Sequence, residues 1–243
     1  MYKPFQKHLE EALHQRFDLQ PAPMPVGLER QVSERGKTPA TIQSWHYRCP
    51  QFRKIRYTYI DGGDTIQVFN SVIYPHHTYD IPLLGIDLLS FNQRKNLVVI
   101  DFQPLFRDDD YQARYIEPMK PIYESYDDLA QNLGMKFYDA NRYFSKYLIF
   151  AKADADMIST RVLAAYKDYL DRYFQMMDEA TPLTDPSDIQ RIVQAQKDYD
   201  QYSAERDPAH GLFSSYFGHE WAERFLHEFL FADSKPVEAA VSR

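Results

Sequence analysis

Two neighbouring stretches, Leu83–Phe91 and Leu97–Phe102, are apolar at odd and even positions alike. A strand that is greasy on both faces must be covered on both faces, so a sheet containing these segments is an inner layer. The surrounding sequence supplies that sheet. From Thr41 to Pro104 polarity alternates with period two: Phe52–Ile60 reads as a strand, Asp61-Gly-Gly-Asp64 as a tight hairpin turn and Thr65–Tyr74 as the return strand. Leu83–Phe91 and Leu97–Gln103 form a second pair across the polar turn Asn92–Asn96, and residues 144–152 have the composition of a further strand. Such short connections predict an antiparallel meander.

The covering layers are helical. Phe5, Leu9, Leu13 and Phe17 recur every fourth residue, and the prolines of the segment 20–27 end that helix. Residues 28–40 read as a polar connection. Helical patterns follow over Tyr123–Leu133, over Asp154–Ala180, from the capping pair Asp185-Pro186 toward Tyr202, and from about Gly218 to Phe231. Residues 232–243 read as a frayed tail. The predicted fold class is α+β: a three-layer α/β/α sandwich around an antiparallel sheet, one domain spanning residues 1–243.

Composition narrows the function by exclusion. Only 8 glycines occur and none forms a phosphate-cradling motif, while 19 Tyr and 16 Phe make the chain unusually aromatic. The single cysteine, Cys49, excludes an intrachain disulfide framework, a thiolate-held iron–sulfur cluster and a cysteine-rich zinc site, and suggests a reducing compartment. A net charge of −7 argues against nucleic-acid binding. No stretch has the roughly 18–20 apolar residues of a membrane helix, and no targeting segment opens the chain, so a cytoplasmic protein is expected.

Three polar residues break the pattern of the buried sheet. Asp87 sits among leucines and isoleucine, Asn70 shares a face with Val68 and Val72, and Asp101 follows Leu-Val-Val-Ile. Pairing Pro75 with Pro82 places Asn70 opposite Asp87, and pairing Asn92 with Asn96 places Asp101 opposite Asp87 as well. Two carboxyls and an amide at mid-sheet would push one carboxyl pKa upward, leaving a neutral acid able to give a proton near pH 7. A satisfied structural hydrogen-bond network is the alternative, and the clustering of three such groups favours a proton-handling pocket. Asp207, pushed out of helical geometry by Pro208, reads on its own as a turn residue bonding its own backbone. His219, Glu223 and His227 are spaced for a metal, but Trp221, Phe225 and Phe229 take the opposite face, so this stripe reads as solvated and no metal is expected. His76-His77 reads as a turn cap, and Tyr166, Tyr169, Tyr173 and Phe174 as core.

The runs Val68-Phe-Asn-Ser-Val-Ile-Tyr-Pro75, Tyr79-Asp-Ile-Pro-Leu-Leu-Gly-Ile-Asp-Leu-Leu89, Val99-Ile-Asp-Phe-Gln-Pro104 and Tyr202-Ser-Ala-Glu-Arg-Asp-Pro-Ala-His-Gly-Leu-Phe213 resemble, in order and over nearly the whole chain, the ferredoxin-dependent bilin reductases. The resemblance implies an α/β/α sandwich holding biliverdin IXα between the sheet and the C-terminal helices, with no bound metal or flavin. Electrons would arrive singly from reduced ferredoxin, and protons from side chains through bilin radicals. Asp87 falls on the family's central proton donor and Asp207 on its second, loop-borne Asp, which displaces the turn reading above. Phycocyanobilin-forming members carry His where this chain has Asn70 and Glu where it has Thr58. Asn at this position instead resembles the members that reduce the C15=C16 methine bridge of biliverdin by two electrons. A four-electron reduction to phycoerythrobilin and a non-catalytic bilin carrier are the alternatives.

Pro208 replaces a propionate-binding Lys of the phycocyanobilin-forming members, so Lys152, Arg142 and Arg206 are the expected propionate partners, with Asn70 and Asp101 also facing the pigment. Ferredoxins are acidic, and Arg53, Lys54, Arg56, Arg94 and Lys95 offer a basic docking patch; a solvated strand edge is the plainer reading of the same residues. A downstream bilin reductase would accept the product, and nothing demands more than a monomer.

Overall fold

The inner strands of the central sheet are buried on both faces, whereas its first edge is largely exposed. The computed structural model describes residues 1–35, 38–131 and 133–234. Its sheet has eight strands, β1 (Gln20–Pro21), β2 (Arg30–Ser33), β3 (Ala40–Arg48), β4 (Phe52–Asp61), β5 (Ile66–Pro75), β6 (Leu83–Phe91), β7 (Lys95–Gln103) and β8 (Ile149–Ala153). They run antiparallel in the order β1-β3-β4-β5-β6-β7-β8, with β2 sharing the β3 edge used by β1. The meander β3 to β7 follows from the short connections, and β8 closes the far edge, overlapping the expected stretch 144–152 and ending one residue beyond it. The early strands β1 and β2 lie in segments read as connections; at four residues or fewer they are too short to show a period.

One face of the sheet carries the helix Lys3–Arg16 and the long helix Leu163–Glu179. Phe17 wedges between Phe52 and Phe174, each 5.1 Å away, and Phe5 meets Tyr166 at 5.2 Å. The tyrosine stripe is core as expected, and its hydroxyls are satisfied by main-chain carbonyls: Tyr169 donates to Tyr147 O (2.6 Å) and Tyr173 to Pro82 O (3.0 Å). Asp154 caps the start of this helical run by accepting from Met157 N.

The other face is covered by the C-terminal helices Pro186–Arg206, Ala209–Phe217 and His219–Arg224, the last widening into a π-helical turn over Phe225–Leu230. Asp185 caps the first of these through Ser187 N, as its position before Pro186 predicts. Gly218, at φ 98°, makes the break between the second and third helices. The three-layer α/β/α arrangement is therefore as expected.

Two local expectations fail. Tyr123–Leu133 is not one helix: a single turn over Lys120–Glu124 and a 3₁₀ turn over Asp127–Leu129 lead into a non-helical loop. The β6–β7 turn is also tighter than Asn92–Asn96. Phe91 pairs with Lys95, and Asn92 and Gln93 take left-handed backbone geometry at φ 50° and 52°. The tightening moves the β6–β7 register by two residues, so Asp101 faces Gly85 and Asp87 faces Val99. The β5–β6 register is the expected one, with Asn70 opposite Asp87. No helix among the described residues is long and apolar enough to cross a membrane. Most of the predicted tail, from residue 235 onward, lies outside the described residues.

Candidate active site

A recess of about 620 Å³ opens between the sheet and the C-terminal helices. Its floor is the face of β4–β7 that carries Arg56, Thr58, Asn70 and Asp87, and its roof includes Tyr199, Tyr202, Asp207, Phe213 and Phe225. The loop Leu133–Tyr138 and Lys152 form part of its wall. A mostly apolar slot of this size with a few converging polar groups suits a flat conjugated ligand of some tens of atoms.

The polar groups form a chain. Arg56, 1% exposed, donates from Nε to Leu230 O (3.0 Å) and from a terminal guanidinium nitrogen to Asn70 Oδ1 (2.6 Å). With its oxygen so engaged, the Asn70 amide turns its nitrogen to Asp87 Oδ1 at 3.2 Å. Asp87 is partly accessible and lines the recess, and the packed surroundings desolvate the carboxyl. Burial pushes its pKa up to about 7, the Asn70 amide and Arg56 pull it down, and the negative charge of Asp207 raises it further. Near neutral pH a large share of Asp87 therefore carries a proton.

Asp207 ends the Pro186–Arg206 helix in extended geometry, as the proline after it requires, and accepts from Ala209 N (2.8 Å). Burial raises its pKa as well, opposed by that N–H, by Arg56 and by His210. The turn-type bond and the place in the recess coexist. Tyr138, from the 133–138 loop, lies close enough that both carboxylates help burial hold its phenol protonated.

The sequence pattern of the ferredoxin-dependent bilin reductases matches residues 6–232. The chain belongs to this family. Over all 243 residues this bilin reductase is 66% identical to the 15,16-dihydrobiliverdin:ferredoxin oxidoreductase of Nostoc punctiforme, with 100% of both chains covered. It is 65% identical over 237 residues to the protein of that name from Gloeobacter violaceus, covering 98% of this chain and 97% of the relative. Among solved structures, phytochromobilin synthase from tomato in complex with biliverdin matches with a TM-score of 0.87 over 96% of this chain and 83% of the other; at 24% identity that likeness is one of fold.

The reductase fold brings some of the expected residues together and separates others. Asn70, Asp87, Asp207 and Lys152 line the recess. Asp101 does not: it is fully buried, accepts both the backbone N–H (2.9 Å) and the hydroxyl of Ser145, and is pushed up to about 7 by burial. The shifted register places it behind a serine cap instead of beside Asp87. Arg142 and Arg206 also lie outside the lining, stacked on the Tyr202 ring at 5.2 and 4.3 Å.

The docking patch is corrected more sharply. Arg56 belongs to the site. Lys54 is 5% exposed, donates to the carbonyls of Phe229 (2.6 Å) and Leu230 (3.2 Å), and has its pKa pushed down to about 7 by burial. Arg53 is tied to Asp233 at 2.9 Å and stacked on Tyr74 at 4.8 Å. The β4 basic run anchors the C-terminal segment, because the inward positions of an inner strand have no route to solvent. Arg94 is exposed in its turn, and the Lys95 side chain lies outside the described part of the structure. His76 does cap its turn, with Nδ1 3.0 Å from the Thr78 hydroxyl.

Sequence reasoning missed the part of Arg56 in the site, and also Tyr138, Lys136 and Tyr199. Tyr199 donates to Gln103 Oε1 at 2.6 Å, which ties roof to floor. Arg56 shares the β4 face of Thr58, but within Phe52-Arg-Lys-Ile-Arg56 it reads as part of a basic run, and nothing in the 133–138 loop announced its side chains.

Proposed function

We propose that this chain reduces biliverdin IXα by two electrons at the C15=C16 methine bridge, giving 15,16-dihydrobiliverdin, with both electrons delivered one at a time by reduced ferredoxin. The observation that carries this reading is the hydrogen-bonded pair Asn70–Asp87 at mid-floor of an aromatic slot, with Asp87 titrating near neutrality. Two electrons and two protons convert the bridge double bond to a single bond. Asp87 in its neutral form gives one proton as the pigment gains an electron, so the bilin passes through a neutral radical instead of an anion. The Asn70 amide and the Arg56 charge behind it then stabilise the carboxylate left behind. Asp207, on the roof, supplies the second proton.

The pigment's two propionates need cations where the slot meets water. Lys152 and Lys136, both exposed and both lining the recess, meet that need. Arg142 and Arg206, stacked behind Tyr202, hold the aromatic wall. The enzyme acts as a cytoplasmic monomer and passes its product to a second bilin reductase.

Anaerobic incubation with biliverdin and a ferredoxin-reducing system, followed by chromatography of the pigment, tests the reading. The expected main product is 15,16-dihydrobiliverdin. Phycoerythrobilin as the main product, or a stable complex that stays unreduced, overturns it.

A further inference from the structure

The C-terminal helices carry a second group of reactive side chains that the reduction does not use. His219 and Glu223 lie one turn apart on the third C-terminal helix, and His210 reaches them from the helix before it. One donor atom from each of the three falls within 4.8 Å of the others. His210 Nε2 is 2.6 Å from Glu223 Oε1. That nitrogen is shielded from solvent and has no hydrogen-bond partner among the described residues. The His210 and His219 rings meet edge to face with centroids 5.6 Å apart.

A further imidazole stands by. His227 Nε2 is 3.9 Å from Glu223 Oε2, and its side chain is only 8% exposed. Its other ring nitrogen is fixed 2.8 Å from the Ser234 hydroxyl, the kind of outer contact that orients a ligating histidine. The stripe read from the sequence as solvated is therefore partly closed in, because His210 and Ser234 contact it.

We propose that His210, His219 and Glu223 form a zinc-binding site, with His227 or water as the fourth ligand. Two imidazoles and a carboxylate converging on one point are a donor set that borderline-soft divalent ions prefer. Zinc–ligand bonds of about 2.0–2.2 Å need donors roughly 3–3.5 Å apart, a spacing that small side-chain rotations reach from the observed one. The ion would bridge two helices across the Gly218 break and pin His210, three residues beyond Asp207. It would thus brace the turn that presents Asp207 without taking part in electron or proton transfer. This inference stands apart from the identity of the pigment.

The test is isothermal titration of tag-free, pigment-free, chelator-treated protein with zinc chloride. One saturable site is expected, with a melting temperature raised by zinc and lowered again by EDTA. His219→Gln, at an exposed position that does not endanger folding, should weaken binding at least about tenfold, as should Glu223→Gln. His77→Gln, on a distant loop, should leave binding unchanged. The absence of a saturable site, or binding that survives both His219→Gln and Glu223→Gln, overturns the proposal and leaves a simple His210–Glu223 ion pair.

Discussion

Replacing Asp87 by Asn should make the protein more stable and less active at once, and the stability gain should depend on pH in one direction only. Burial holds the Asp87 carboxyl at about 7, against an ordinary value of 3.8. Because its folded pKa lies above its unfolded pKa, the native state holds the proton more tightly. Asp87 therefore costs stability that is absent below about pH 4 and grows until pH passes about 7. A shift of roughly three units corresponds to at most about 4 kcal/mol. The recess admits solvent to the carboxyl, so a realistic cost at pH 8 is nearer 1–2 kcal/mol. The substituted side chain keeps an oxygen for the Asn70 amide and carries no charge. For a chain of this length the variant should melt roughly 2–8 °C above wild type at pH 8 and within about 2 °C of it at pH 5. Paired thermal melts at the two pH values measure this, with pigment turnover followed in parallel. Equal shifts at both pH values, or a loss of stability at pH 8, would refute the desolvated-acid account. Full turnover by the variant would remove Asp87 from the proton path.

Other outcomes follow from single contacts. Asn70→Leu removes the amide that stabilises the Asp87 carboxylate, so the alkaline limb of the rate–pH profile should move up by about one unit; a limb that stays in place would show that the amide does not tune the acid. Asp101→Asn should cost about 1–3 kcal/mol in denaturant melts through its Ser145 contacts, yet leave turnover of the folded enzyme within about twofold. Gly85→Ala would put a methyl 2.7 Å from the Gln103 side chain that Tyr199 holds, so weaker pigment binding in absorbance titrations is expected. Lys152→Ala should raise KM for biliverdin several-fold with little change in kcat, because a propionate contact from this recess-lining cation would be made equally in the ground and transition states.

The fold was legible where periodicity met a physical constraint. Leu83–Phe91 is apolar on both faces because helices sit on both faces, and the alternation in β5 separates Asn70 and Val72, which face the recess, from Phe69 on the opposite, helix-packed face. The register between β5 and β6 followed because its loop closes without a bulge. The next register did not, since it depends on Asn92 and Gln93 both adopting left-handed geometry. Asparagine tolerates that conformation, but its occurrence at two successive non-glycine positions is not written in their identities. A shift of two residues leaves every side chain on its original face, so the hydrophobic pattern could not detect it.

The site divides along the same line. Asp87 and Asn70 stood out because an uncompensated polar group on an inner strand is expensive and therefore rare. Arg56 and Lys54 break the same rule on β4, yet within Phe-Arg-Lys-Ile-Arg three cations in five residues look like a surface. What makes them interior is the last described helix: the carbonyls of Phe229 and Leu230, in its π-helical turn, accept from the two side chains. That partner lies more than 170 residues away. A buried cation is recognisable from sequence only when its acceptor is local, and here the acceptors are backbone atoms with no side-chain signature. The loop from Leu133 to Tyr138 poses the same difficulty, because its placement over the recess depends on tertiary contacts such as Asp139 N donating to the Tyr202 hydroxyl at 2.7 Å. Asp87 and Asn70 were thus visible as local violations, whereas the residues that orient or enclose them became visible only once the C-terminal layer was in place.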